Sequence, residues 1–301
     1  MTDPLEGLTV SSGPLVATFL PELGLLGASL RHRGDELLAL PGGLDGYRAG
    51  DVTGLPLLAP WANRLGARQY DVEGVTVDLE GLELHTDEQG LPIHGTLSAQ
   101  PGWEVVEADE HSFTARFDVG DHPGLLTSFP FPHELRVEVA LAATTLQMTT
   151  TVTPTTDRAV PISFGYHPYL QLPEVRREDV RLRLPARRHL ELDRRGLPTG
   201  VARAEDAEDE PLGSRTFDDL YELASDRRLA LTGGGRRLTL ELEDGYRFAQ
   251  VFTPPAGASV CLEPMTAAVN ALVDGGYARA LPGEPFAATF RVGLADEPGG
   301  A

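Results

Sequence analysis

The chain has 301 residues, of which 41% are hydrophobic, enough to bury the core of one large all-β domain or of two ordinary domains. Its formal net charge of −20 excludes the basic footprint that nucleic acid requires and disfavours an anionic membrane surface, so a neutral ligand fits it best. All 25 basic residues are arginine, and without lysine the chain can hold neither a Walker-type phosphate loop nor a lysine Schiff base. Because Cys261 is the single cysteine, an intrachain disulfide and a cysteine-rich metal site are excluded too.

The amino-terminal segment, Met1–Glu6, has no basic region followed by an apolar run. No later segment approaches about 18 uninterrupted apolar residues, the length that a membrane-spanning helix needs. We therefore expect a cytoplasmic protein with no membrane partner, and we expect it to be a monomer.

Short runs that alternate apolar and polar residues follow along the chain. This period of two is typical of half-buried antiparallel strands. The runs that predict strands are 137–141, 146–152, 181–184 and 238–242, with a final strand over 286–294. Three consecutive glycines, 233–235, predict a hairpin turn between two such strands.

The remaining segments predict little helix. Residues 266–273 are expected to form one short helix, the acidic run 204–210 a solvated loop, and the tail 295–301 a frayed end. Many short strands with frequent turns predict an all-β fold, a β-sandwich or a barrel. Since no shift in composition and no repeat divides the chain, we expect a single domain over residues 1–301.

The segment Pro161–Tyr169 contains the strongest candidate for chemistry, His167. The following Pro168 biases His167 towards extended geometry, so we expect the imidazole at a strand end, among aromatic rings. A rigidly held imidazole beside stacking rings suits proton transfer to a sugar. The alternative is a core histidine that bonds a backbone carbonyl group.

Glu263 and His94 are the next candidates. Glu263 follows an apolar strand, 259–262, where a carboxylate is costly to bury unless it is paired or used, and burial would raise its pKa towards that of a general base. His94 precedes Gly95, which permits close approach of the backbone. The alternatives are a strand-end glutamate that faces water and a histidine on a surface turn.

Three polar residues and several rings have the chemistry to bind a sugar. Asn63 and Arg64 together present several hydrogen-bond groups, and Asp218 can accept from hydroxyls. The alternatives are a surface ion pair for Arg64 and a helix cap or turn for Asp218. The aromatic residues that could form a stacking surface, some of which must belong to the core, are Trp61, Phe164, Tyr166 and Tyr169.

Metal and cofactor motifs are absent from the sequence. The remaining histidines show neither His-x-His nor His-x-x-x-His spacing, so a zinc site is poorly supported. The chain has no Gly-x-Ser-x-Gly elbow and no Gly-x-Gly-x-x-Gly motif after a strand. We therefore expect no metal and no cofactor.

The motifs together resemble those of the aldose 1-epimerase, or galactose mutarotase, family. The resemblance extends over about residues 20 to 294, and the segments that carry it, in the family's order, are Pro60–Leu65, His94–Gly95, Ser163–Tyr169, Phe217–Asp219 and Cys261–Pro264. It implies a large antiparallel β-supersandwich with its site in a concave groove. It also implies a free aldohexose as substrate, whose α and β anomers are interconverted without a cofactor.

The resemblance also implies roles for the candidate residues. Glu263 would be the general base and His167 the general acid, with His94 assisting. For that chemistry Glu263 must be ionised and His167 protonated near neutral pH, each charge stabilising the other. A sugar-contacting glutamine of the family would fall near 253–255, where this chain has none. The residues expected to bind the sugar are Asn63, Arg64, Asp218 and Tyr169.

Two alternatives share the implied fold. A hexose-6-phosphate 1-epimerase would need extra cations, for which the sequence offers Arg31, Arg33, Arg68 and Arg177. A non-catalytic carbohydrate-binding module would not demand Glu263, His167 and His94 together. A glycoside hydrolase would need a second catalytic acid, and the sequence nominates only one.

Overall fold

Antiparallel strands make up most of the regular structure of the computed structural model, which describes residues 7–297. The segment Met1–Glu6, on which the expectation about targeting rests, lies outside the described residues. Residues 298–301 of the tail lie outside them as well.

The strands are numbered along the chain. The first twelve are β1 (Leu8–Ser12), β2 (Leu15–Leu20), β3 (Leu26–His32), β4 (Asp35–Glu36), β5 (Leu57–Leu58), β6 (Gln69–Val72), β7 (Val75–Asp78), β8 (Glu104–Ala108), β9 (Ser112–Asp118), β10 (His133–Ala142), β11 (Thr145–Pro154) and β12 (Val160–Ile162). The others are β13 (Gly165–Tyr166), β14 (Tyr169–Leu170), β15 (Arg181–Leu184), β16 (Arg187–Leu192), β17 (Pro198–Glu205), β18 (Glu208–Pro211), β19 (Asp218–Leu223), β20 (Arg228–Gly233), β21 (Arg236–Leu242), β22 (Phe248–Phe252), β23 (Val260–Met265), β24 (Ala278–Ala280) and β25 (Phe286–Asp296).

Helices are short. The α-helices are α1 (Gly43–Arg48), α2 (Pro123–Ser128) and α3 (Ala271–Asp274), and the 3-10 turns are Pro21–Leu23, Val119–Asp121 and Arg177–Asp179. No helix in the described part of the chain is long and apolar enough to cross a membrane.

Two large sheets form the body of the fold. The nine-stranded sheet has the order β18-β15-β20-β21-β25-β11-β10-β9-β8. The eight-stranded sheet has the order β17-β16-β19-β22-β23-β13-β5, with β14 also paired to β23. Smaller sheets contain β1 to β4, β12 with β24, and β6 with β7.

The main core contains apolar residues from both large sheets. The rings of Tyr166 from β13 and Phe290 from β25 have centroids 5.1 Å apart, and the Tyr166 hydroxyl lies 2.7 Å from that of Thr150 in β11. Contacts of this kind hold the two sheets face to face. The predicted antiparallel β-supersandwich is thereby confirmed.

The strand predictions are confirmed where the alternation is longest. Runs 137–141 and 146–152 lie in β10 and β11, which pair over ten residues each. Along β11 buried residues alternate with partly exposed ones, as a period of two requires. Runs 181–184, 238–242 and 286–294 lie in β15, β21 and β25. The predicted hairpin is present too, because Gly234 and Gly235, with φ of 57° and 74°, join β20 to β21.

The run 204–210 is exposed or partly exposed, as expected, but the expectation that it forms a loop is wrong. Glu205 ends β17, and Glu208 begins β18, each an edge strand of a large sheet. Arginine side chains neutralise the acidic run, since Arg187 Nη2 lies 2.8 Å from Glu205 and 2.7 Å from Glu208. Paired charges on an edge also discourage further strand addition.

The helix predicted over 266–273 is wrong in its first half. The backbone amide and the hydroxyl of Thr266 both donate to the carbonyl oxygen of Phe164, at 3.1 Å and 2.7 Å. Asn270 has a left-handed φ of 63°, so the helix forms only from Ala271. The expectation of a frayed tail over 295–301 is also wrong at its start, because residues 295 and 296 continue β25 and pair with β21.

Candidate active site

Neighbouring strands of the eight-stranded sheet bring the candidate residues together. Asp218 begins β19, Gln250 lies in β22 directly opposite Glu263 in β23, and His167 follows β13 on the far side of β23. These side chains enclose a cavity of about 170 Å³. This inner pocket is lined by Asn63, Arg64, Ile93, His94, His167, Tyr169, Asp218, Gln250, Phe252 and Glu263. All seven residues predicted for the site therefore line one cavity, while their chemical roles stay predictions.

A carboxyl–imidazole pair lies at the buried side of the inner pocket. Glu263 Oε1 is 3.2 Å from His167 Nε2, and the two side chains are only 2% and 6% exposed. The alternative of a strand-end glutamate in water is therefore wrong. A buried carboxyl group with an imidazole at hydrogen-bond distance can exchange a proton with it and with a ligand.

Burial controls how this pair holds its proton. Removal from water raises the pKa of Glu263 well above its usual range, assisted by the charge of Asp218 and opposed by Arg64. The same loss of solvent lowers the pKa of His167 to about 4. Burial therefore opposes the predicted state, an ionised Glu263 beside a protonated His167, and that state stays a prediction. Both shifts favour the uncharged form of each group, a protonated carboxyl group beside a neutral imidazole.

The imidazole of His167 is rigidly held. Its backbone amide donates to the Pro56 carbonyl oxygen at 3.2 Å, and its ring stacks on that of Tyr169 with centroids 4.9 Å apart. The preceding Gly165 allows β13 to approach β23, since a Cβ there would lie 2.7 Å from the carbonyl oxygen of Pro264. His167 thus lies between two short strands, as the Gly and Pro beside it predict.

His94 contacts His167 from a strained turn. The ring centroids are 5.6 Å apart at an interplanar angle of 82°, and the His94 backbone is left-handed with φ of 65°. The next residue, Gly95, has φ of 69°, and a Cβ there would overlap the carbonyl oxygen of Ala59. Burial, followed by the neighbouring His167, lowers the pKa of His94 well below its usual range. The imidazole is therefore neutral, and the surface-turn alternative is wrong.

Arg64 is fixed by three partners at the rim of the pocket. Its Nε donates to Asp87 at 2.9 Å, its Nη1 to Asn63 Oδ1 at 3.3 Å and its Nη2 to Asp218 at 3.4 Å. The Arg64 side chain is only 17% exposed, so this is an internal network rather than the surface pair given as the alternative. Asp87 is a partner that sequence reasoning missed.

Gln250 is the polar pocket residue that sequence reasoning missed. Its Nε2 donates to Asp218 Oδ1 at 2.6 Å, while its buried Oε1 has no hydrogen-bond partner within residues 7–297. The chain therefore does supply a glutamine to the site, three residues before the segment 253–255 in which the resemblance placed one. The available signal was a lone amide in the apolar run 248–252, where a polar group is costly without a partner.

Only one of the four candidate stacking rings faces the inner pocket. Tyr169 lines it, and burial raises the pKa of its phenol, which keeps the hydroxyl neutral. Trp61, Phe164 and Tyr166 are at most 2% exposed and belong to the core instead. Phe252, from β22, supplies a pocket ring that the sequence did not single out.

Within residues 7–297, no group of three or more histidine, cysteine, aspartate or glutamate side chains is arranged to hold a metal ion. Cys261 is buried and free, and burial raises the pKa of its thiol.

A β-supersandwich with a buried acid–imidazole pair below a polar rim defines the class of protein. The family model described as Aldose 1-epimerase matches residues 26–300, so this chain belongs to that family. The resemblance inferred from the motifs is thereby confirmed. No curated protein matches the sequence.

Solved structures with the same fold are distant in sequence. A galactose mutarotase-like protein from Clostridium acetobutylicum has a TM-score of 0.85 and 19% identity, over 96% of this chain and 95% of that chain. An aldose epimerase homologue from C. elegans has a TM-score of 0.80 and 16% identity, over 97% and 99%. The galactose 1-epimerase from Lactobacillus acidophilus NCFM has a TM-score of 0.75 and 15% identity, over 97% and 95%. At these identities the likeness establishes the galactose mutarotase-like fold.

Proposed function

We propose that this protein is an aldose 1-epimerase that interconverts the α and β anomers of a free aldohexose. The observation that carries the proposal is the Glu263–His167 pair, 3.2 Å apart at the buried side of a small polar pocket. The pocket volume of about 170 Å³ lies below the roughly 300–1,000 Å³ typical of sites for drug-sized ligands. A single sugar ring is a ligand of suitable size and polarity.

The reaction needs one proton removed and one delivered. Ring opening takes the proton from the C1 hydroxyl and forms the C1 carbonyl, while the electron pair of the C1–O5 bond passes to the ring oxygen, which is protonated. Glu263 takes the first proton and His167 supplies the second. Rotation about C1–C2 then presents the other carbonyl face, and the two residues reverse their roles during closure. The proton count of the pair is one before and after each step.

For these reaction steps to occur in this order, the proton must start on His167. Burial favours Glu263 as the carrier of the proton, so the proton crosses the gap to His167 Nε2 when sugar binds. Sugar hydroxyls that donate to the Glu263 carboxylate favour this transfer, because hydrogen bonds to the charged form lower a pKa. The transfer leaves the net charge of the buried pair unchanged but separates two charges away from water, so hydrogen bonds from the bound sugar must offset its cost.

The other pocket residues hold the ring in place. Neutral His94 donates a hydrogen bond towards the sugar oxygens beside His167. The donors and acceptors for the remaining hydroxyls, Asn63, Arg64, Asp218 and Gln250, form one connected network. Tyr169 packs against His167 and offers a neutral hydroxyl. Two positioned proton carriers supply about 10²–10⁴-fold each, which suffices for a reaction that also proceeds unaided in water.

The structure gives no support to the hexose-6-phosphate alternative. Arg31 and Arg33 pair with Glu36 and Asp296, away from the site. The guanidinium groups of Arg68 and Arg177 donate to the carbonyl oxygens of residues 79 and 215. None of these four lines the inner pocket, where Arg64 is the sole arginine among the lining residues.

Polarimetry on freshly dissolved α-D-glucose and α-D-galactose tests the proposal. We expect the wild type to accelerate the optical relaxation and Glu263→Gln to lose about 10²–10⁴-fold of that acceleration, since the amide cannot take the proton. Glu107→Gln, on exposed strand β8, is the matched control and should behave as the wild type.

The other outcomes are equally informative. Acceleration by both wild type and Glu263→Gln would keep the activity and move the base to another residue. If neither sugar responded, the proposal would fail, and hexose 6-phosphates and then sugar binding without catalysis would be the next assays.

A further inference from the structure

Outside the inner pocket lies a second and much larger space. This outer groove has a volume of about 870 Å³, about five times that of the inner pocket. Its walls away from the pair include Gln89, His189, Glu191, Arg194, Arg195 and Asp219. The two spaces adjoin each other, because both are lined by Arg64, Ile93, His94, Asp218 and Phe252. A single sugar ring fills the inner pocket and leaves the groove unused.

Two cross-connected loops build the groove. One contains Gln89, whose Nε2 donates at 2.7 Å to the carbonyl oxygen of Arg194 in the turn between β16 and β17. The first loop is closed by Asp87, which accepts from the amides of residues 89 and 91, both at 2.9 Å. The second is closed by Asp193, which accepts from the amides of residues 195 and 197. These bonds form the groove without a ligand, so binding there requires little ordering.

The groove also joins the site through Arg64. Gly196 in the β16–β17 turn packs so close to Arg64 that a Cβ would lie 2.8 Å from its Nε. The same guanidinium group bonds Asp87 of the other loop and Asp218 of the inner pocket. A ligand that occupies both spaces would therefore pass directly over Arg64.

The charges of the groove favour a neutral ligand. Six carboxylates line it against three arginines: Asp87, Glu88, Glu191, Asp193, Asp218 and Asp219 against Arg64, Arg194 and Arg195. A phosphorylated ligand would face this excess of negative charge, and the whole chain adds a net −20. Hydroxyl groups suit the surface better, since they donate to carboxylates and accept from guanidinium groups.

We propose that the outer groove is a glycosyl subsite, which holds the second unit of a neutral disaccharide or short oligosaccharide whose free reducing end occupies the inner pocket. This proposal rests on the proposed epimerase function. The reducing unit keeps its C1 hydroxyl, so the linkage to the second unit uses another hydroxyl, and no glycosidic bond breaks. Arg195 donates to hydroxyls of the second unit, since no ion pair engages its side chain among the described residues.

The test compares single anomers of maltose, lactose and melibiose, freshly dissolved, with α-D-glucose and α-D-galactose. We expect at least one disaccharide to have a kcat/KM equal to or above that of the better monosaccharide, through a lower KM. Arg195→Ala should lower the ratio of disaccharide to monosaccharide kcat/KM by about tenfold, the loss of one charged hydrogen bond. Arg158→Ala, on an exposed turn outside both spaces, should leave the ratio unchanged.

Failure of this proposal differs from failure of the proposed function. If monosaccharides respond but all three disaccharides have kcat/KM values more than about tenfold lower, the groove is not a glycosyl subsite. An unchanged ratio in Arg195→Ala would also overturn the assignment of that residue. If no sugar responds at all, the epimerase function itself fails. Higher kcat/KM for glucose 6-phosphate than for every neutral sugar would assign the groove to an anion instead.

Discussion

The proton shared by Glu263 and His167 is the residue-scale feature on which the proposed chemistry depends. Burial is the largest cause of both pKa shifts, upwards for Glu263 and downwards for His167. A pair exposed to water would hold one proton only between the ordinary values of about 4.3 and 6.5, and on the imidazole. In this pocket the lower limit of the range is the pKa of His167, about 4, and its upper limit is the raised pKa of Glu263.

The pH dependence of kcat/KM should follow this range. Below about pH 4 His167 gains a proton, the pair holds two, and no base remains. Above the raised pKa of Glu263 the pair holds none, and no acid remains. We therefore expect a bell-shaped profile with its acid limb near pH 4, measured by polarimetry after subtraction of the uncatalysed rate.

Two results would contradict this profile. An acid limb near pH 6.5, the ordinary histidine value, would show that burial does not shift His167. A rate that kept rising above about pH 9 would exclude His167 as the acid.

Much of the residue-level site was predictable, for a physical reason. Glu263, His167 and His94 each adjoin a Gly or Pro that restricts or specialises the backbone. Their neighbours in sequence therefore indicate that these side chains belong to a site. Gln250 has no glycine or proline beside it, so the sequence does not distinguish it from other amide side chains on strands. The ionisation state was not predictable either, because it depends on solvent exclusion by residues far away in sequence.

At the scale of elements, the turn at His94 and Gly95 sets the position of an imidazole. Gly95 combines a φ of 69° with close contact to the Ala59 carbonyl group. Both features require glycine, and together they fix the direction in which the His94 ring enters the pocket.

Gly95→Ala should therefore lower the free energy of unfolding by about 2–4 kcal/mol, through left-handed strain together with steric overlap. Gly81→Ala is the matched control, since Gly81 has a φ of 74° but no atom near the position of a Cβ. Gly81→Ala should lower the free energy of unfolding by only about 1 kcal/mol. Urea denaturation measures both, and equal losses in the two variants would show that the Ala59 contact is unimportant.

Long strands were predictable and the shortest ones were not. β10 and β11 show ten residues of alternation, whereas β5, β13 and β14 have two residues each, too few for any period. Yet β13 and β14 place His167. The strand ends within the acidic run 204–210 were missed because its partner, Arg187, is about 20 positions away, and an acidic composition predicts only exposure to solvent.

At the scale of the whole molecule, the net charge of −20 acts on every ligand that approaches. A neutral sugar is indifferent to this field, whereas a sugar phosphate is repelled by it. Salt shortens the range of the repulsion, from a Debye length of about 30 Å at 0.01 M to about 3 Å at 1 M.

The ratio of kcat/KM for glucose 6-phosphate to that for glucose should therefore be below one at low salt and should rise with NaCl. Glucose serves as the internal control, because its own kcat/KM should barely change. A ratio that fell with added salt would mean that a local cation site attracts the phosphate, and it would revive the hexose-6-phosphate alternative.

The sheet order was beyond sequence reasoning, because it depends on pairings that are distant along the chain. In the nine-stranded sheet β25 lies between β21 and β11, and it joins β18, β15, β20 and β21 to the consecutive strands β8–β11. Alternation identifies β25 as a strand but contains no information about its neighbours.

This position of β25 has a consequence for synthesis on the ribosome. About 130 residues separate the end of β11 from the start of β25, which take roughly 7–26 s to translate at about 5–20 residues per second. During that interval the strands β8–β11 can pair, but the edge of β11 has no partner. An open edge recruits strands from other chains. Nascent chains therefore expose an edge, that of β11, which β25 covers in the finished protein, and this edge adds to their exposure to aggregation.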